Sequence, residues 1–146
     1  MANETGSLLW LGDVDTFTAE ADEALTEGSF LKSTSSDDVV TTAGATSVAD
    51  GDISVSMCDD TNDNGLIVGI AQTATDSVDP VNVMTEGIFI YQGDSVTAGM
   101  AVMASATAEK NYTVENVADG SEEHKIGRAL TGTSTTNAFC VVIIRI

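Results

Sequence analysis

Basic residues are scarce in this chain. Against 23 Asp and Glu stand only Lys32, Lys110, Lys125, Arg128 and Arg145, so the 146 residues carry a formal net charge of −18. Binding a phosphate backbone needs clustered Lys and Arg, which excludes nucleic acid as a partner and an anionic membrane surface with it. Histidine occurs once, as His124, in a charge-dense run beside Glu122, Glu123 and Lys125 that reads as an exposed loop. Nucleophilic catalysis needs a base oriented by a third group, and no such arrangement is legible. Phosphate-binding loops, nucleophile elbows and dinucleotide fingerprints are missing as well, so the chain is read as a non-enzyme without a cofactor. The two cysteines, Cys58 and Cys140, make no disulfide framework and have no neighbouring His or Cys with metal-ligand spacing. Buried thiols are the expectation for them, with one disulfide as the alternative.

Long hydrophobic runs are missing too. Candidate runs such as residues 66–71 and 141–144 fall far short of the roughly 18 apolar residues a membrane-spanning helix requires. An apolar cluster near the start, Leu8, Leu9, Trp10 and Leu11, is too short for the core of a secretory leader and has no basic residue ahead of it. No twin-arginine pair is present. The expectation is a soluble protein made and assembled in the cytoplasm.

What remains describes a folded chain. Apolar residues make up 42%, with 13 Gly and a single Pro, a composition unlike that of disordered segments. The length suits one domain, which at this size buries roughly 70% of the surface its unfolded chain exposes. A net charge of −18 strains a compact state through self-repulsion, and that repulsion is screened when molar salt shortens the Debye length to about 3 Å. A high-salt habitat follows as an expectation. The charge is also uneven: residues 1–109 hold 19 acids and Lys32 alone, whereas residues 110–146 hold four acids and four bases. Either the final third is mostly interior strand, or part of it faces an acidic neighbour.

Beyond residue 28, short β-branched and apolar runs alternate with Gly, Asp, Asn and Ser, which predicts strands at 30–32, 39–42, 53–58, 66–71, 81–84, 88–91, 101–104, 112–117, 126–130 and 139–146. Such a list implies an all-β fold, a small barrel or sandwich of short antiparallel strands. Ile53, Val55 and Met57 alternate with Ser54 and Ser56, placing one face inside. Asn64-Gly65 then predicts a hairpin turn leading straight into 66–71 as the partner strand. The one helical signal is residues 18–27, where Phe17, Ala21, Ala24 and Leu25 recur at helical spacing ahead of Gly28. An internal echo is also visible. Gly69-Ile70-Ala71 precedes the run 81–84, and Gly127-Arg128-Ala129 precedes 139–146, suggesting a pseudo-repeated small barrel.

Two segments are candidate sites. Leu8, Leu9, Trp10 and Leu11 are either a first strand or an arm that anchors the domain on a partner, since aromatic and aliphatic anchors dominate interface energetics. Asp60, Asn62 and Asn64, followed by Gly65, fit the first half of a calcium loop. The position that should carry its bidentate Glu is Ala71, so the competing reading is a solvated hairpin turn with no bound metal.

The segments FTAEADEALTEGSFLKSTSSDDVV, VGIAQTATDSVDPVNVMTEGIF, GDSVTAGMAVMAS and KIGRALTGTSTTNAFCVVIIRI, taken in that order, resemble the capsid decoration (head-stabilising) proteins of tailed viruses. Gly93, Asp94, Gly99, Gly127, Ala129 and Leu130 stand where that family's turns and strands put them. The likeness starts near Phe17 and leaves out residues 1–16 and 59–64. It implies an N-terminal arm (1–16) and one β-barrel decoration domain (17–146). It further implies a homotrimer on the outer surface of the virion, seated on the major capsid protein lattice and stabilising the head. With the charge, it implies a virus of haloarchaea. The alternative function is a virion or cell-surface β-domain recognising a host receptor or glycan, for which Trp10, Tyr91 and Tyr112 are the available aromatics.

Overall fold

Nine strands build the computed structural model, which describes residues 15–34, 53–58, 66–105, 113–135 and 138–146. They are β1 (Asp15–Ala21), β2 (Phe30–Ser33), β3 (Ser54–Met57), β4 (Ile67–Ala71), β5 (Pro80–Asp94), β6 (Ala101–Ala104), β7 (Thr113–Asn116), β8 (Gly127–Ala129) and β9 (Ala138–Arg145). Among the described residues the only helix is a single 3-10 turn, Glu122–His124. The fold is all-β, as the composition and turn spacing imply.

The hydrogen-bonded order β1-β3-β2-β4-β5-β7-β6-β8-β9, with the extra pairings β1–β5 and β5–β9, closes the sheet twice. The first ring is β1-β3-β2-β4-β5 and returns to β1; the second is β5-β7-β6-β8-β9 and returns to β5. Both follow the same path. The first strand pairs parallel with the third, Glu20 with Ser54 in one ring and Gln92 with Thr113 in the other, and all remaining pairings are antiparallel. The long strand β5 therefore ends one five-stranded barrel and begins the next. Closure leaves short edges only, which limits strand-to-strand aggregation.

The two rings agree bond by bond. Gly28 N–H donates to Ala71 O at 2.9 Å and Gly99 N–H to Ala129 O at 2.8 Å, and both glycines have positive φ, 82° and 86°. Likewise Cys58 N–H donates to Phe30 O and Val117 N–H to Ala101 O, while Gln72 N–H donates to Asn82 O and Leu130 N–H to Val141 O. The echo at Gly69-Ile70-Ala71 and Gly127-Arg128-Ala129 marks corresponding hairpins: Ala71 is opposite Val83, and Ala129 opposite Val142. Each glycine lies against the backbone of its partner strand, where a Cβ would meet Met84 O at 2.8 Å in one barrel and Ile143 O at 2.0 Å in the other.

Two apolar cores result. Ala19, Ala21, Leu31, Val55, Val81 and Val83 fill the first barrel, with Ile53 and Met57 packed partly against them, as the period-2 reading of 53–57 requires. Phe89, Tyr91, Val102, Val114, Val142 and Ile144 fill the second. Phe30, Ile70 and Met84 face away from the first core, alternating with Leu31, Ala71 and Val83, and join the second core instead. They are register partners of one another, Phe30 with Ile70 and Ile70 with Met84, so the outer face of the first barrel closes the near end of the second. Phe30 stacks on Tyr91 with ring centroids 4.8 Å apart, and Tyr91 Oη donates to Gly28 O at 2.7 Å. Stacked pairs of this kind contribute about 0.5–1.5 kcal/mol beyond the area they bury.

Three expectations need correction. The helical spacing at 18–27 is not realised: Asp15–Ala21 is strand, with Ala19 and Ala21 inside, and Leu25 bridges Thr75. Phe17, Ala19 and Ala21 fit a period of two as well as Phe17, Ala21 and Ala24 fit a helix, and the pairing edge offered by β5 decides between them. Nor do 53–58 and 66–71 form a hairpin with each other. β2 inserts between them and pairs with both, so both edges of the buried Phe30-Leu31 pair are satisfied. Finally, 81–84 and 88–91 are one strand, because Gly87 stays in the ladder opposite Ile144 as β5 crosses from barrel to barrel. The strand expected at 39–42 and the Asn64-Gly65 turn lie outside the described residues.

Candidate functional site

Leu8, Leu9, Trp10 and Leu11, and with them Asp60, Asn62 and Asn64, lie outside the described residues. Among the described residues no group of three His, Cys, Asp or Glu is placed to hold a metal ion. His124 ends the 3-10 turn with Nε2 3.5 Å from Glu123, at the surface. Cys58 and Cys140 are thiols buried in the second core and are not joined to each other. Burial pushes the Cys140 thiol up to about 11 and holds the Tyr91 hydroxyl well above its ordinary range. A shallow depression of about 490 Å³ beside Leu25 and Pro80 is faced by Asp76 and Asp79 and by no base.

The outer wall of the second barrel is different in kind. Along β9 the inward residues Cys140, Val142 and Ile144 are buried, while the outward set is Phe139, Val141, Ile143 and Arg145. β5 continues this face, with Ile88 opposite Ile143, Ile90 opposite Val141 and Glu86 opposite Arg145. On the other side of β9, β8 sets Arg128 opposite Ile143, and Leu130 donates its N–H to Val141 O. Leu130 is 50% exposed, Ile143 41% and Phe139 39%. Six apolar side chains thus form one ladder three strands wide, and contiguous exposed apolar surface of this sort marks an interaction site more often than isolated residues do. Arg128 donates from its guanidinium to Gly99 O, which fixes it across the face, and Arg145 lies 3.7 Å from Glu86.

Charge sharpens the contrast. The described residues of the first barrel, through Glu86, hold eight carboxylates and Lys32 alone, whereas those beyond it hold five carboxylates with Lys125, Arg128 and Arg145. The final third is interior only in part: alternate residues of β9 are buried and the rest face outward. Sequence reasoning missed this face. The available signal was apolar residues at both parities of 138–146, which a strand bounding a single barrel cannot bury on both sides.

No family model matches the chain, and no curated protein matches it. A solved structure does: "head fiber gp8.5 N base in bacteriophage phi29" aligns over 90% of this chain and 94% of that one, with a TM-score of 0.56 and 15% identity. At that identity the likeness establishes a shared fold.

Proposed function

We propose that the chain is a structural protein of a tailed-virus head, binding the outside of the major capsid protein lattice as a homotrimer and stabilising the shell. The observation that carries this reading is a shared fold running nearly end to end with a protein whose name places it on a phage head. It adds to the resemblance carried by the turn and strand motifs. Such a role requires contact surface rather than chemistry, and the ladder on β5, β8 and β9 is the most prominent contact surface described. In a trimer each docked protomer raises the effective concentration of the others, so modest contacts per chain suffice.

The charge of −18 favours a host living in strong salt, hence a virus of haloarchaea. A receptor- or glycan-binding role is weakened, because Tyr91 is buried beneath Phe30 and unavailable to a sugar. Light scattering in 2–4 M salt and again after dilution to 0.1 M, with antibody labelling of intact particles of the encoding virus, tests the proposal. A trimer that dissociates or unfolds on dilution and is labelled on intact particles is the expected result. A salt-indifferent monomer that is missing from purified particles would overturn it.

A further inference from the structure

We infer that the outer face of the second barrel receives the first barrel of another copy of this chain, in a head-to-tail contact that repeats the junction between its own two barrels. The correspondence of the rings carries the argument. Phe30, Ile70 and Met84 form a register trio across β2, β4 and β5, and all three are fully buried where the second barrel covers them. The corresponding trio on β6, β8 and β9 is Ala101, Arg128 and Ile143. In this structure the second copy of the surface is uncovered, Ile143 being 41% exposed beside Leu130, Val141 and Ile88.

A stacked repeat that ends in solvent ordinarily has a polar outer face. Here only the centre of the trio is polar, and the residue standing there, Arg128 in place of Ile70, is a cation. The described residues of the first barrel, through Glu86, carry eight carboxylates with Lys32 as their lone base. A surface that is apolar with basic points thus complements the acidic leading barrel of a second copy. In strong salt the apolar ladder supplies the affinity, while the charges select orientation. Two different surfaces meet in such a contact, so it closes into a ring if the rotation permits.

The inference rests on self-association in the proposed function and is independent of capsid attachment. Ile143→Asp at this exposed position is expected to reduce the molar mass in 2 M salt to that of the 15.0 kDa chain, with far-UV circular dichroism unchanged. A monomeric unsubstituted protein defeats self-association and this inference together. An assembly that survives Ile143→Asp defeats only the surface assignment. Ile143→Cys then tests the arrangement: head-to-tail packing keeps these positions apart, so rapid disulfide-linked dimers on mild oxidation would refute it.

Discussion

Replacing Gly127 by alanine is expected to destabilise the fold by about 3–5 kcal/mol, at or beyond the top of the range for overpacked sites. The new Cβ would lie 2.0 Å from Ile143 O and 3.0 Å from Ile144 Cα. Carbon needs roughly 3.5 Å from such neighbours, so a backbone must move by more than an ångström. That backbone belongs to β9, which is held to β5 by eight register pairs and cannot retreat without breaking the second barrel. At the corresponding Gly69 the nearest atom, 2.2 Å away, is the Val83 Cγ1 methyl, with Met84 O at 2.8 Å. Part of that clash is relieved by side-chain movement, and about 2–3 kcal/mol is expected. Gly99 has open space around a Cβ and φ of +86°, so alanine there meets only left-handed strain of about 1–2 kcal/mol. Urea unfolding followed by far-UV circular dichroism at one fixed salt concentration measures all three. At this chain length each kcal/mol lowers the midpoint temperature by roughly 2–4 °C. A Gly127→Ala protein within 1 kcal/mol of the parent, or less affected than Gly99→Ala, would refute the close approach of β8 to β9.

Tyr91→Phe removes the donor to Gly28 O in the junction between the barrels and is expected to cost about 1–2 kcal/mol in the same unfolding assay. No measurable loss would mean that the 2.7 Å bond contributes nothing. Alkaline pH is expected to destabilise the protein through the same core. The Cys140 thiol keeps its proton to about pH 11 when folded against an ordinary 9.0, so its contribution is whole below pH 9 and lost by about pH 11. Two units correspond to about 3 kcal/mol. Tyr91, also raised by burial, adds a further loss beginning near pH 10. Stability measured from pH 8 to 11.5 should fall, with a shallower slope between 9 and 10 in Cys140→Ala; equal slopes there would contradict the burial of that thiol.

Local signals served well wherever the information was local. The runs at 30–32, 53–58, 66–71, 101–104 and 139–146 all lie on strands, because alternation with turn residues on either side leaves a half-buried strand as the only consistent conformation. The candidate segments were also chosen on local grounds, but both fall outside the described residues, and the face that is described was not anticipated. Its apolar residues come from β5, β9 and the end of β8, up to 55 positions apart in sequence, and nothing in the run 86–92 announces that Ile88 and Ile90 point away from the core.

By itself, then, the sequence determined the class of the protein: all-β, strongly acidic and with a repeated Gly-x-Ala hairpin. Those properties reside in composition and in spacings of a few residues. Only the tertiary structure decided that 15–21 is strand rather than helix, that β2 separates β3 from β4, and that β5 serves two barrels in succession. Strand order is a choice among distant edges, each able to satisfy the same backbone donors and acceptors. Which edge wins depends on how whole faces pack, and that information is spread along the entire chain.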